Sequence, residues 1–334
     1  MEKVLVTGAT GFLGNYLIKQ LLASGYEVTA LGRNKKAGEV LKKLGAIFCE
    51  GDFTDKAACA PYFKGVDYVI HAGALSTVWG KWEDFYNTNV IGTKNVCELC
   101  VEHGVQRMIY ISSPSIYSGK EHRFDIKESD YDDKNELNYY IKSKLLSEQV
   151  IREFHEKGLY TVSLRPRGLI GIGDTSLIPR ILKANGKIGI PLFNKGENYV
   201  DITCVENVAY AALLCIGAEG ISGEVFNITN GEPMQFKQIL EQFLAAIGER
   251  PKYLKLPFGL VYGIASLLEG VYRVFRKKGE PALTKYTVCT LAFSQTLDIS
   301  KAKEKLGYRP KITLAEGIKN YGEWWKKHNR SKAV

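Results

Sequence analysis

The run Gly8-Ala9-Thr10-Gly11-Phe12-Leu13-Gly14, set between the strand-like Val4-Leu5-Val6-Thr7 and an amphipathic stretch, constrains this chain more than any other feature. Its GxxGxxG spacing permits a tight turn, a close approach of backbone to a pyrophosphate, and close packing of a helix on a strand. The helix N-terminus that follows favours negative charge. Spacing alone is weak evidence, and the placement after a first strand and at the start of a helix is what makes it a dinucleotide signature. Gly8, Thr10, Gly11, Phe12, Leu13 and Gly14 are therefore candidate cofactor contacts.

The rest of the first half fits that start. Short β-branched runs at 3–7, 27–31, 46–49, 67–71, 106–111 and 160–165 alternate with helical patterns at 12–24, 36–44, 55–63, 82–103 and 139–157. Such alternation predicts βαβ units with right-handed crossovers. The expected fold is α/β, a doubly wound parallel sheet of the Rossmann type with ligands at the carboxyl ends of the strands. After Arg165-Pro166 the rhythm breaks into loops and separate helices at 176–184, 205–218, 235–247 and 312–328, which read as a smaller, mostly helical C-terminal substrate lobe. Strand-like 199–203 and 225–228 are expected to return to the main sheet. The domains are thus placed at 1–167 with 199–229 for the dinucleotide, and 168–198 with 230–330 for the lobe.

With 334 residues and a formal charge of +9, the chain could meet an anionic partner. Much of the excess lies in basic patches at 273–278 and 326–332, and no stripe of aromatic and basic residues resembles a nucleic-acid platform. No nucleic-acid partner is expected. Seven scattered cysteines without a disulfide framework, and a strand-like start in place of a signal peptide, point to a reducing cytoplasm. Cys97 and Cys100 form a CxxC, but the periodicity around them is helical and no second ligand pair follows, so buried thiols are expected and no metal. Leu256 to Phe275 carries Glu269 and Arg273 as its only charges, and Arg276, Lys277 and Lys278 follow. Two readings stand: a helix covering an apolar substrate cleft, or a peripheral membrane contact through 256–278.

An acidic residue near the end of the second strand would bond the adenosine ribose hydroxyls of NAD. This chain has Gly32-Arg33 there instead. A guanidinium favours a 2′-phosphate, so NADP(H) is expected over NAD(H). Asp52, followed by Phe53, is placed to accept from the adenine amino group. Ala72, Gly73 and Ala74 leave room for the dinucleotide at the end of the fourth strand, where His71 is expected to pack as a structural residue.

Tyr140 and Lys144 form a YxxxK pair, and at i,i+4 on a helix both point to one face. A nearby ammonium lowers a phenol's pKa toward the range useful for acid-base work. The strand Met108-Ile109-Tyr110-Ile111 runs into Ser112-Ser113-Pro114-Ser115-Ile116-Tyr117, which brings hydroxyls to a carboxyl end. One of them can donate to a carbonyl oxygen as it gains charge.

On these residues, together with Asn89-Val90-Ile91-Gly92-Thr93 and Leu164-Arg165-Pro166, the chain resembles an extended short-chain dehydrogenase/reductase of the 3β-hydroxysteroid dehydrogenase/isomerase family. The resemblance implies that Ser113 is the catalytic serine, beside Tyr140 and Lys144. It also implies that Asn89 lies beneath the site as a structural or proton-relay residue, that Lys144 bonds the nicotinamide ribose, and that the segment from Pro166 to Leu169 lines the nicotinamide. It further implies a homodimer paired through 82–103 and 139–157. Val78-Trp79-Gly80, Leu164-Arg165-Pro166-Arg167, Gly173-Asp174 with Leu177-Ile178-Pro179-Arg180, and Gly231-Glu232-Pro233 are similar to the bacterial 2-alkyl-3-oxoalkanoate reductases.

The expected activity is an NADP(H)-dependent interconversion of a keto and a hydroxyl group on a small apolar substrate, either a 2-alkyl-3-oxoalkanoate or a 3β-hydroxysteroid. Trp79, Trp82, Phe193, Tyr199 and the 256–275 segment are read as the walls of an apolar cleft. Arg167 and Arg180 are candidates to pair with a carboxylate, and Ser76, Trp79, Ser115 and Arg167 are the candidate substrate contacts. Two alternatives remain: a nucleotide-sugar epimerase or dehydratase that retains NAD, and a non-catalytic NADP-binding protein.

Overall fold

Side chains alternate across a strand, so a parallel strand covered by helices on both faces must be apolar at nearly every position. The first half of the chain meets this condition. The computed structural model describes residues 1–187, 189–275, 277 and 279–329. Its main sheet contains β1 (Lys3–Thr7), β2 (Glu27–Gly32), β3 (Ile47–Glu50), β4 (Tyr68–His71), β5 (Arg107–Ile111), β6 (Thr161–Pro166) and β7 (Val225–Ile228). All pairs are parallel, in the order β7-β6-β5-β4-β1-β2-β3. Val4, Val6 and Ile109 face a core layer shared with Leu17, Ile18 and Val208, whereas Leu5, Met108 and Tyr110 face a second layer with Val96, Cys97 and Ile151. The order reverses between β1 and β4, and the crevice at their carboxyl ends is where such sheets bind ligands.

The second half departs from the sequence reading in one respect that matters. Val225–Ile228 joins the main sheet beside β6, but 199–203 does not. Tyr199–Val200 instead pairs with Met234–Gln235 and Gln295 in a separate four-stranded sheet, and Thr203–Cys204 pairs with Leu169–Ile170. That second sheet ends on Arg123–Ile126, a strand that the polar Arg123-Phe124-Asp125-Ile126 does not announce. The helix Val205–Gly217 packs on Phe12–Ala23 in the core of the main sheet. Leu256–Phe275 yields the helix Phe258–Val274. Arg276 and Lys278, and 330–332 with the end of the lobe at residue 330, lie outside the described residues.

The pattern at 82–103 is not one regular helix. Trp82–Phe85 leads into a wider π-helical stretch, Tyr86–Ile91, before Gly92–Glu102 continues as an α-helix. The widened turn carries Asn89, whose amide accepts from Leu75 N (2.7 Å) and donates to Leu75 O (3.1 Å) and Ser143 Oγ (2.9 Å). It therefore pins the loop after β4 to the helix Tyr139–Glu156, a common use of such bulges near sites.

That helix is also tied to the sheet by charge. Arg165 on β6 grips Glu148 through Nε (2.8 Å) and Nη2 (2.6 Å), with both side chains nearly inaccessible. Glu148 also accepts from Ser112 Oγ at 2.5 Å, and Arg165 Nη1 donates to Tyr117 Oη at 2.5 Å and Glu128 O at 2.7 Å. Removing one member of a buried pair leaves the other uncompensated, at a cost of roughly 3–5 kcal/mol. Glu148→Gln is therefore expected to lower the urea unfolding free energy by about 3 kcal/mol. Glu148→Gln combined with Arg165→Met should recover a large part of that loss.

Candidate active site

Gly8 closes the turn after β1 at φ +67, a conformation that side chains disfavour. A Cβ there would lie 2.6 Å from Gly73 Cα, and one at Gly14 would lie 2.6 Å from Ala9 O. The backbone is thus in close contact between β1, β4 and the helix Phe12–Ala23. Gly11 begins that helix with no side-chain cap and no acid in the first turn. Its leading amides are left for an anion, as a pyrophosphate requires. Thr10 packs beneath Gly32, where a Cβ would lie 2.7 Å from Thr10 Oγ1. A carboxylate side chain at position 32 would displace Thr10. Leu13 packs on the core under the turn, and the ring of Phe12 faces Gly171 and Tyr16.

Arg33 and Asp52, drawn separately from the sequence, lie together at the edge of this crevice. Arg33 Nη1 meets Asp52 Oδ2 at 3.2 Å, with 73% of the Arg33 side chain exposed. Burial would raise the Asp52 carboxyl, but the Thr54 amide and hydroxyl and the Arg33 charge hold it below its usual value. A Cβ at Gly73 would press on the ring of Phe53, 3.0 Å from Cδ1, so the end of β4 accepts no side chain there. Ala72 and Ala74 flank this position, half-buried.

His71 is wholly buried between Thr7 Oγ1 (2.6 Å) and Thr93 Oγ1 (3.0 Å). Burial, with a smaller push from Lys144, lowers its pKa to about 3, so it is a neutral strut at neutral pH. Cys97 and Cys100 are buried in the core, and burial pushes both thiols well above their ordinary values.

The three serines after β5 are separated by their partners. Ser112 is committed to Glu148. Ser113 Oγ donates to Ser115 Oγ (3.0 Å) and accepts from Ser115 N (3.2 Å). Ser115 Oγ meets Tyr286 Oη at 2.8 Å. Tyr140 opens the helix Tyr139–Glu156, capped by Asn138 through Ile141 N. Burial pushes its phenol up to about 12, opposed by the Ser113 hydroxyl beside it and reinforced by Tyr286.

Lys144 follows one turn later. Its Nζ donates to Ile111 O (2.9 Å) and Tyr110 Oη (3.1 Å), and burial brings its pKa down to about 7 against the attraction of Glu148. The YxxxK spacing puts the lysine on the tyrosine's face of the helix, while its ammonium contacts run to the strand and the Ser113 hydroxyl lowers the phenol. Lys142 points elsewhere, to Glu136 at 2.6 Å and the face of Trp82.

The candidate carboxylate partners divide sharply. Arg180 is half-exposed and pairs with Glu280 at 2.9 Å. Arg167 is 6% exposed, and no hydrogen bond or ion pair engages its guanidinium among the described residues. Burial lowers its pKa, while Tyr286 and Asp201 raise it from nearby. Burial drives the Asp201 carboxyl up to about 6. Pro166 is buried at the end of β6, and Leu169 lies in the short strand just beyond.

Among the expected cleft walls, Trp79 is half-buried with its ring edge-on to Tyr272 (6.3 Å), and Trp82 lies against Tyr139 (5.7 Å). Phe193 is instead packed in a closed cluster with Val261, Ala265 and Val288, Tyr199 sits exposed on the second sheet, and Ser76 is exposed. Tyr286 went unrecognised in the sequence. Lys285-Tyr286-Thr287 is an ordinary helix start, and only the fold brings it to Ser115, 171 residues away.

The model of the NAD dependent epimerase/dehydratase family matches residues 4–229. The chain is 32% identical over 328 residues to a 2-alkyl-3-oxoalkanoate reductase of Stenotrophomonas maltophilia, covering 95% of this chain and 97% of that protein. It is 33% identical over 331 residues to the sterol-4-alpha-carboxylate 3-dehydrogenase, decarboxylating, of Mus musculus, covering 95% and 89%. A solved UDP-glucose 4-epimerase of Thermotoga maritima, with UDP-glucose, superposes with a TM-score of 0.77 at 24% identity over 98% of this chain and 99% of that one, a likeness of fold.

Proposed function

The chain belongs to the NAD dependent epimerase/dehydratase family, a group of NAD(P)-dependent oxidoreductases, and on that premise we propose that it interconverts a ketone and an alcohol on an α-substituted 3-oxo or 3-hydroxy acid, with NADP(H). The observation that carries the chemistry is the convergence of Ser113, Tyr140 and Lys144 at the carboxyl end of β5, beside the uncapped helix behind Gly8 and Gly11. The bound nicotinamide supplies or accepts the hydride at the substrate carbon.

The protein's own groups handle the oxygen. A phenol with a pKa near 12 is protonated at neutral pH, which is the form needed to give a proton to the oxygen of a ketone being reduced. Ser113 Oγ, held by Ser115 N, is set to orient that oxygen by donating to it. Lys144 lies one turn from Tyr140 on the same helix face, where a cofactor ribose can exchange for its contacts to Ile111 and Tyr110. In reduction the phenolate left on Tyr140 regains its proton from water, and in the oxidative direction Tyr140 acts as that phenolate, takes the alcohol proton and passes it on to water.

Arg167 supports the acid. Its guanidinium, largely buried and engaged by no hydrogen bond or ion pair among the described residues, has donors to spare, and a substrate carboxylate would use them. The names of the two relatives share this chemistry: a 3-oxoalkanoate and a 4-carboxylate beside a 3-dehydrogenated carbon both carry the carboxylate on the atom next to the reacting one. The exposed Arg33, in a surface pair worth little by itself, supports NADP(H), because a 2′-phosphate outcompetes one carboxylate for a guanidinium.

Three substitutions test this reading. Tyr140→Phe should lose more than about 100-fold in kcat while still binding NADPH by fluorescence titration; full turnover would refute the assignment. Arg167→Met should lose about 100-fold in kcat/KM for a 2-alkyl-3-oxo acid and little for the ketone lacking the carboxylate. Its thermal midpoint should hold or rise, whereas a structural arginine would lower it on removal. Arg33→Ser should cut kcat/KM for NADPH by at least about tenfold and leave NADH nearly unchanged.

A further inference from the structure

The helix Phe258–Val274 is built inside out. Its one acid, Glu269, is 4% exposed and turned toward the protein, where it accepts from Lys285 N at 2.7 Å and meets Lys285 Nζ at 3.7 Å. Val261 and Ala265 also face inward, against Phe193 and Val288. Leu260, Ile264 and Leu267, with Val274 and Phe275 past them, point outward and are 44% to 76% exposed. These positions follow the spacing of one helical face. As far as Gly270 the exposed positions are otherwise Gly259, Gly263 and Gly270, so over three turns the outer face exposes no charged side chain before Arg273. Single exposed leucines are normal on a soluble protein, but a continuous uncharged stripe marks a contact surface.

What borders the stripe indicates the partner. Its far end is basic: Arg273 and Lys277 flank Val274 and Phe275, and the sequence there reads Arg273, Arg276, Lys277, Lys278 within a chain of net charge +9. Among the described residues no helix is long and apolar enough to cross a membrane. An apolar face ending in a cationic cluster matches the layering of an anionic lipid surface, with acyl chains against leucines and headgroup charge against lysine and arginine.

The position also matters. Tyr272 and Arg273 lie against Trp79, on the loop leaving β4, and Arg273 stacks on Tyr139, the residue before Tyr140. We propose that the outer face of Phe258–Val274 is a docking surface for an anionic phospholipid bilayer, on which the protein rests with the Trp79 side of its active site at the lipid.

The test is co-sedimentation of the full-length protein, loaded with NADPH, with vesicles of phosphatidylcholine alone and of phosphatidylcholine with about 30% phosphatidylglycerol. The wild type is expected to sediment with the anionic vesicles and to be released by salt. Leu267→Glu, at a highly exposed position, should lower that partition by at least about tenfold while leaving turnover of a short, soluble ketone unchanged. Ile264→Asp should act in the same way. Failure of the wild type to bind anionic vesicles, or equal binding by both variants, would overturn the proposal. So would light scattering that shows Leu267→Glu splitting a larger assembly without any vesicle binding, because the face would then be the contact between two copies.

Discussion

The helix Tyr139–Glu156 carries Tyr140 and Lys144 at its start, and its position is set by a carboxylate one turn beyond Lys144. Glu148 bonds to Arg165 on β6 and to Ser112 on the turn after β5. One acid thereby fixes the helix, the strand and the serine turn relative to one another. Such a pair contributes little net stability, since desolvating both ions offsets their attraction. Its value is geometric: Ser112 is drawn to Glu148 and away from the crevice, which leaves the next residue, Ser113, on the side of Tyr140. Arg165 extends the same constraint through Tyr117 to Asn227 on β7.

The network also arranges the charges around Lys144. The lysine is buried and would lose its proton readily, but Glu148 opposes that loss. His71, packed nearby between two threonines, is kept neutral by burial and by the lysine itself. A second cation is therefore kept out of the pocket. In the proposed reaction the phenol of Tyr140 is then the proton donor, and the lysine the group that holds its surroundings in place. The YxxxK spacing alone suggests a simpler picture, in which the lysine acts directly on the tyrosine; here the lysine's contacts run to the strand, to Ile111 O and Tyr110 Oη.

Features written in local sequence were legible in advance. The glycine turn, the apolar parallel strands, the Tyr140 and Lys144 spacing and the absence of an acid at Gly32 all depend on neighbours within a few residues, and periodicity encodes them. The inside-out helix at 258–274 was legible as uncharged but not as to which face pointed out, because Glu269 reads as an interruption until its inward turn to Lys285 is seen. Features made by long-range closure were not legible. The strand Arg123–Ile126 exists because Gln295–Leu297 lies beside it, Tyr199–Val200 was drawn into the second sheet by Met234–Gln235 while Thr203–Cys204 went to Leu169–Ile170, and Tyr286 reaches Ser115 only through the fold. Arg167 and Arg180 look equivalent in sequence, and the difference between them is burial.

The proposed substrate joins the polar and apolar features of the site. Arg167 is a single buried cation near Tyr286, and Tyr286 in turn is linked through Ser115 to Ser113. Trp79 and the helix Phe258–Val274 form an apolar border at the other side of the loop after β4. A compact polar substrate would leave the aromatic border unused, and a neutral hydrocarbon ketone would leave the guanidinium's hydrogen-bond donors unused. An amphiphile with its carboxylate next to the reacting carbon satisfies both, and it is also the kind of molecule that partitions into lipid. On the proposed reading, the buried arginine and the outward-facing leucines would answer one physical problem: a substrate whose head must be desolvated against a charge and whose tail resists water throughout.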